Sequence, residues 1–151
     1  AKGGIAGAES YAWHRKLIAT RGNEYDPRVR TRIMRGAEQD AADYIDLIER
    51  RAAAIPAYVA ATSDYDAVIM PTTAIIAPRI DEVAKDDDYT RINLLILRNP
   101  MMFNILDCCS ISIPMNRPGD VPTGLMVVGR GGTDRRTLAI SKAIESILQP
   151  A

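Results

Sequence analysis

The chain has 151 residues, enough for one domain that buries about 68–70% of the surface its unfolded form exposes. Apolar residues make up 47% and charged residues 25%, the balance of an ordinary globular protein. Nineteen basic residues against nineteen acidic ones leave no net field to draw in nucleic acid or an anionic membrane, and no stretch reaches the roughly 20 apolar residues that span a bilayer.

In chain order, Ala6 to Thr20 reads as a helix with a rough apolar stripe of Ile5, Ala8, Ala12, Trp13, Leu17 and Ile18, stopped by Arg21-Gly22-Asn23. Asp26-Pro27 opens the clearest helix. The aspartate accepts bonds from free backbone N–H groups, and proline at the first helical position loses nothing. Val29, Ile33, Ala37, Ala41, Tyr44, Ile48, Ala52 and Ile55 recur every three or four residues, so one face of a long helix is expected to be buried. Arg28, Arg30, Arg32 and Arg35 cluster on it, but acidic residues follow from Glu38 to Asp46, which reads as a solvated face. Pro56 should kink or end the helix, with a short continuation through Tyr58 and Val59 to Ala61.

The pattern then changes. Ala67-Val-Ile-Met70, between Asp66 and Pro71, suits a strand buried on both faces. Asp86-Asp87-Asp88 offers capping carboxylates to a helix through Leu94–Leu97 that ends near Arg98-Asn99 before Pro100. A further helical turn or two is expected from Met101 to Leu106. Ser110-Ile-Ser-Ile113 alternates with period two and stops at Pro114, a strand signal. Asn116-Arg-Pro-Gly-Asp120 is turn chemistry. Gly124 to Gly129 reads as another strand. Thr133 then caps a helix whose apolar face is Leu138, Ile140, Ala143, Ile144, Ile147 and Leu148. Strands alternating with helices indicate α/β, as part of a mixed sheet covered by helices. The expected organisation is a single partial domain over 1–151, helical over 6–62 and sheet-forming over 65–149.

A search for chemistry returns no complete constellation. Serine nucleophiles need a base within hydrogen-bond reach, yet the one histidine is His14, on the first helix, and no Gly-x-Ser-x-Gly elbow accompanies it. One histidine and a Cys-Cys pair lack zinc-ligand spacing. Gly129-Arg-Gly-Gly-Thr-Asp134 joins a strand to a helix without the full glycine fingerprint of a nucleotide site, and a tight turn is the better reading. Cys108 and Cys109 sit in an apolar run and read as small buried hydrophobes, with Asp107 disfavouring a thiolate. With no disulfide framework, a reducing, cytoplasmic setting is expected. No cleavable signal pattern is visible, and the start at Ala1-Lys2-Gly3-Gly4, without methionine, fits processing or truncation.

Three punctuated segments in fixed order do carry a family likeness. Asp66 through Pro71-Thr72, then Ala77-Pro78, is the first; Asn104 with Ser112 and Pro114 is the second; Gly124-Leu125 with Gly129 is the third. Preceded by Ala8-Glu9 with His14, and by Asp26-Pro27 with Arg30 and Arg32-Ile33, they resemble the C-terminal part of amidase-signature hydrolases. The resemblance implies an α/β fold and hydrolysis of a carboxamide to a carboxylate and ammonia or an amine. In that family a serine forms an acyl-enzyme, a second serine relays a proton, a lysine acts as base, and backbone N–H groups hold the oxyanion. Nothing here corresponds to the family's Gly-Ser-Ser-Gly, Lys2, Lys16, Lys85 and Lys142 lie outside the matching lysine context, and Ser110 and Ser112 belong to a different strand. No catalytic residue carries over.

The resemblance also places Thr72 and Thr73 near the family's substrate pocket, as candidate substrate-binding residues, against the alternative of a capped turn. Asn104 is expected to bond a loop backbone. Many members have glycine and proline where this chain has Asp107 and Cys109. No metal or organic cofactor is implied. The implied partners are a small-molecule amide and a missing N-terminal portion or partner chain, with no nucleic acid and no membrane. The alternative function is a non-catalytic protein-interaction module built on the same half-fold.

Overall fold

The computed structural model describes residues 2–117 and 119–148. The chain divides into two compact units, Ala1–Ala53 and Ala54–Ala151.

The first unit is helical. Helix α1 (Gly4–Arg21) leads through a 3-10 turn (Gly22–Glu24) to α2 (Pro27–Met34). Asp26 caps α2 as its residue type predicts: the carboxylate Oδ1 accepts from Arg28 N at 2.9 Å and Val29 N at 3.1 Å, with Pro27 at the first helical position. The long helix expected from Val29 to Ile55 is broken. A 3-10 turn (Arg35–Glu38) and an extended Gln39 separate α2 from α3 (Ala41–Ala61). Two causes account for the break, a contact distant in sequence and a local cap. Gly36 lies so close to α1 that an added Cβ would stand 2.0 Å from the Gly7 carbonyl oxygen, which fixes the backbone there against a continuing helix. Asp40 and Asp43 then cap α3 reciprocally, Asp43 N donating to Asp40 Oδ1 at 2.8 Å and Asp40 N to Asp43 Oδ2 at 3.2 Å.

The inward stripe of α1 is Gly7 and Ile18, with Tyr11 and His14 half-buried between them. Trp13, which the sequence pattern puts on the apolar stripe, is 84% exposed, and Leu17 is exposed too. The close approach of Gly7 to Gly36 sets which face of α1 packs, and Trp13 lies off that face. Gln39 fastens the start of α1 by donating its Nε2 to the carbonyls of Lys2 (2.6 Å) and Gly4 (2.8 Å).

Helix α3 starts in the first unit and ends in the second. The second unit holds β1 (Val68–Pro71), α4 (Asp86–Ile105), β2 (Cys109–Pro114), β3 (Gly124–Gly129) and α5 (Asp134–Leu148). The sheet order is β1-β3-β2, and both pairings are antiparallel, with Met70 opposite Met126 and Ser112 opposite Met126 on the other side. The α/β class expected from the sequence is what this architecture shows. Phe103 of α4 packs with Met126 and Val128 of β3 on one sheet face, and Tyr58, Val68, Met70 and Cys108 pack against them. Phe103 is 2% exposed and meets Tyr58 edge-on at 6.1 Å.

Several expectations give way here. β1 is an edge strand, half-buried on one face through Val68 and Met70, with Ile69 57% exposed on the other. Pro100 does not end α4, and α3 runs through Pro56 to Ala61, the continuation that the sequence leads one to expect. An interior proline costs about 3 kcal/mol, but Tyr58 and Phe103, just beyond those prolines, form the core, and their burial outweighs a lost backbone bond. The aspartates of 86–88 occupy the first turn of α4, where their charge favours the positive end of the helix dipole, and Lys85 is the capping residue. On α5 the face against the sheet holds Thr137 and Ser141, both buried, with Ile140 and Ile144 of the expected apolar stripe half-buried on the same face, while Leu138 and Ile147 of that stripe are 54% and 77% exposed. Gly129 explains the choice, because an added Cβ would fall 2.0 Å from Thr137 Oγ1. Only short side chains fit so close an approach. Pro118 of the expected 116–120 turn, and residues 149–151, lie outside the described residues.

Helix α4 ends in a Schellman motif. Cys108 N donates to Phe103 O at 3.1 Å and Asp107 N to Asn104 O at 3.4 Å, with Asp107 at φ 60°. Asparagine and aspartate tolerate this left-handed conformation, and β-branched residues do not.

Both backbone features can be tested by substitution. Gly36→Ala should lower stability by about 1–3 kcal/mol through overpacking against Gly7, read as a fall in the urea midpoint at constant slope. An unchanged midpoint would mean that α1 moves aside at no cost. Asp107→Val should lose about 1–2 kcal/mol where Asp107→Asn stays within about 0.5 kcal/mol; equal losses in the two variants would remove the conformational explanation.

Candidate functional site

The polar residues near the end of β1 come together because the antiparallel ladder runs on past the strand. Thr72 N donates to Gly124 O at 2.8 Å, so the chain stays paired with β3 one residue beyond Pro71. Thr72 Oγ1 then lies 2.6 Å from Ser112 Oγ, on β2, across Gly124. That contact exists because Gly124 has no side chain: a Cβ there would stand 2.3 Å from Ser112 Oγ and 2.8 Å from Thr72 Oγ1. Asn99 of α4 donates its Nδ2 to Pro71 O at 2.8 Å and ties the strand end to the helix. Thr73 turns away, its hydroxyl donating to Ile75 O at 2.8 Å, which shapes the turn that follows.

Of the two sequence candidates, Thr72 therefore belongs to a hydroxyl pair and Thr73 to the turn behind it, both half-buried. Sequence reasoning puts Ser112 on a separate strand and outside any site. The ladder brings it to Thr72 because β3 lies between β1 and β2. The signal for this is the glycine opening β3, since glycine in a strand marks a close approach of neighbours. Asn104 sits in the last turn of α4, exposed, and its carbonyl accepts from Leu106 N and Asp107 N.

The remaining candidates for chemistry are engaged in structure. His14 Nδ1 lies 2.8 Å from the Tyr25 hydroxyl, within the first unit. The Lys2 ammonium is 2.7 Å from Asp43 Oδ2, a hydrogen bond that holds its pKa above the ordinary lysine value, so it is a poor base. Arg130, in the Gly129–Asp134 loop, donates Nη2 to Thr62 O at 2.6 Å, and the Thr133 hydroxyl donates to Arg130 O at 2.7 Å. The loop is a tight turn with its guanidinium already placed.

Both cysteines are free. The Cys109 thiol donates to Arg130 O at 3.2 Å and lies 3.1 Å from Thr137 Oγ1, on the α5 side of the sheet. Cys108 packs with the Phe103 cluster on the other side. Burial, and then the neighbouring charges of Cys109 and Asp107, push the Cys108 thiol up, against a hydrogen bond from Tyr58. The thiolate is disfavoured there, as the neighbouring Asp107 implies.

Among the described residues no group of three or more histidine, cysteine, aspartate or glutamate side chains converges as a metal site. No helix among them is long and apolar enough to cross a membrane. An open cleft of about 240 Å³ in the first unit is lined by Lys2, Gly4, Gln39, Asp43, Asp46, Leu47 and Arg50, and it holds no nucleophile–base pair.

Comparison with known proteins supplies what spacing alone does not. The family model Amidase matches residues 4–138. The 2-amino-5-chloromuconic acid deaminase of Comamonas testosteroni is 24% identical over 152 residues, an alignment that covers 97% of this chain and 32% of the deaminase. One subunit of the glutamyl-tRNA(Gln) amidotransferase of Thermotoga maritima is 27% identical over 133 residues, covering 85% of this chain and 27% of its own length. In structure, Kluyveromyces lactis allophanate hydrolase superposes with a TM-score of 0.86 at 24% identity, over 98% of this chain and 24% of that one. The chain thus spans about a third or less of the length of these relatives. With the family model running through both units, from α1 into α5, the chain belongs to the Amidase family.

Proposed function

We propose that this chain is the C-terminal part of an amidase that hydrolyses a carboxamide to a carboxylate and ammonia or an amine through a serine acyl-enzyme. The observation that carries the proposal is the family match over 4–138 in a chain that spans only 32% of the deaminase it resembles. The two relatives named for deamination and amidotransfer, and the allophanate hydrolase, support chemistry at a carbon–nitrogen bond. The nucleophilic serine, the relay serine, the lysine and the oxyanion hole lie outside this sequence, on an N-terminal portion or a partner chain. Within it, His14 is paired with Tyr25 and Lys2 with Asp43, so neither supplies a free base. The two units are read as one partial domain of the enzyme, with Thr72 and Thr73 contributing to one wall of the substrate site. No metal or organic cofactor takes part in this scheme, and the free thiols favour a reducing, cytoplasmic setting.

The exposed side chains of Ile69, Leu138 and Ile147 also suit the second reading, an interaction module without catalysis. Activity separates the two. The purified 151-residue chain should release no ammonia from carboxamides, and activity should appear when the same residues are part of a polypeptide or complex that supplies the serines and lysine. Hydrolysis by the isolated chain that survives replacement of Ser110 and Ser112 by alanine would overturn the assignment of the machinery elsewhere. A longer protein that is inert toward every amide would favour the interaction module.

A further inference from the structure

We infer that Ser112 is a positioning residue for the amide substrate, acting through Thr72, and that the pair selects substrates with a polar acyl portion. This inference rests on the proposed amidase function. Two hydroxyls 2.6 Å apart share one hydrogen bond, in which either can be the donor. One proton is spent between them. One hydroxyl proton and the unused lone pairs remain to meet a ligand.

The arrangement is built, not incidental. Thr72 is fixed by its backbone bond to Gly124 O, Pro71 by Asn99 Nδ2, and the following turn by the Thr73 hydroxyl. The missing side chain at Gly124 is what lets the two hydroxyls meet. With its backbone held on both sides, Thr72 retains only rotation about its side chain, and Ser112 removes that freedom. A β-branched residue has few rotamers to lose, so one bond is enough to orient it. Whichever hydroxyl donates to the other, one proton of the pair remains for a hydrogen-bond acceptor, such as a carbonyl or carboxylate in the acyl part of the substrate, and gives an alkyl chain nothing. Ser112 is exposed and Thr72 half-buried, so a ligand reaches both. Ser110 shares their sheet face two residues away, also exposed, and adds polar surface without a bond to Thr72.

The test uses the longer polypeptide that carries the catalytic serines and lysine, with two amides of similar size, one bearing a carboxylate in its acyl part and one an alkyl group. Ser112→Ala should lower kcat/KM for the polar amide about tenfold, the value of one hydrogen bond, and leave the alkyl amide within about twofold. Thr72→Val should do the same, Thr72→Ser should restore the polar substrate, and Ser112→Ala with Thr72→Val together should cost little more than either alone. Thr72→Ser guards against misfolding, because it keeps the hydroxyl while altering the packing. Equal losses on both amides would assign the pair a purely structural role and overturn the inference with the amidase reading intact. Unchanged kinetics in both variants would overturn it as well. If the unsubstituted protein hydrolyses neither amide, nor any other, the amidase reading fails and this inference fails with it.

Discussion

The second unit depends on how closely its neighbours approach the two ends of β3. That strand pairs with both β1 and β2, so every long-range relation in the sheet passes through it. It begins and ends with glycine, and neither position has room for a Cβ. At Gly129 the space belongs to the Thr137 hydroxyl and lets α5 lie on the sheet through threonine and serine. At Gly124 it belongs to Ser112 and Thr72. The same absence of a side chain therefore sets the helix–sheet distance at one end and joins two hydroxyls at the other. Between them Met126, Val127 and Val128 are buried and hold the strand in register. A one-residue slip would exchange the faces on which those side chains sit.

The site and the core share their supports. Phe103 lies beyond Pro100 in α4 and anchors the Tyr58 cluster, while Asn99, just before that proline, fixes the carbonyl of Pro71. A helix that had stopped at Pro100 would have lost the core contact. Running through it, α4 ends instead at the Schellman turn around Asp107, from which β2 starts and carries Ser112 to its place. Positioning of the hydroxyl pair is thus a consequence of how α4, the helix just before β2, packs.

Large apolar side chains on α5 and β1 remain exposed in the second unit, where the buried helix face is made of threonine and serine. Burial of apolar area is the main favourable term in folding, and a chain of this length ordinarily covers such residues. Their exposure agrees with a chain that spans a third or less of its relatives, and on α5 it divides the apolar stripe: Ile140 and Ile144 are half-buried beside Thr137 and Ser141, while Leu138 and Ile147 lie outside that face.

Local chemistry was legible. Asp26-Pro27 opening α2, the strand endings at Pro114 and Gly129, the helical run to Ala61 past Tyr58, the disfavoured Cys108 thiolate and the position of Thr72 and Thr73 beyond a strand all follow from short-range rules, in which one residue type answers one backbone need. The break at Gly36, the passage of α4 through Pro100, the edge position of β1, the outward Trp13 and the joining of Thr72 to Ser112 do not. Each depends on a partner distant in sequence, 40 residues away for the hydroxyl pair. The kinds of element, their order and the family motifs were thus written in the amino acids themselves. Which faces pack and which polar groups meet was settled only in the folded chain, because close approach is fixed by the residue on the other side of the contact.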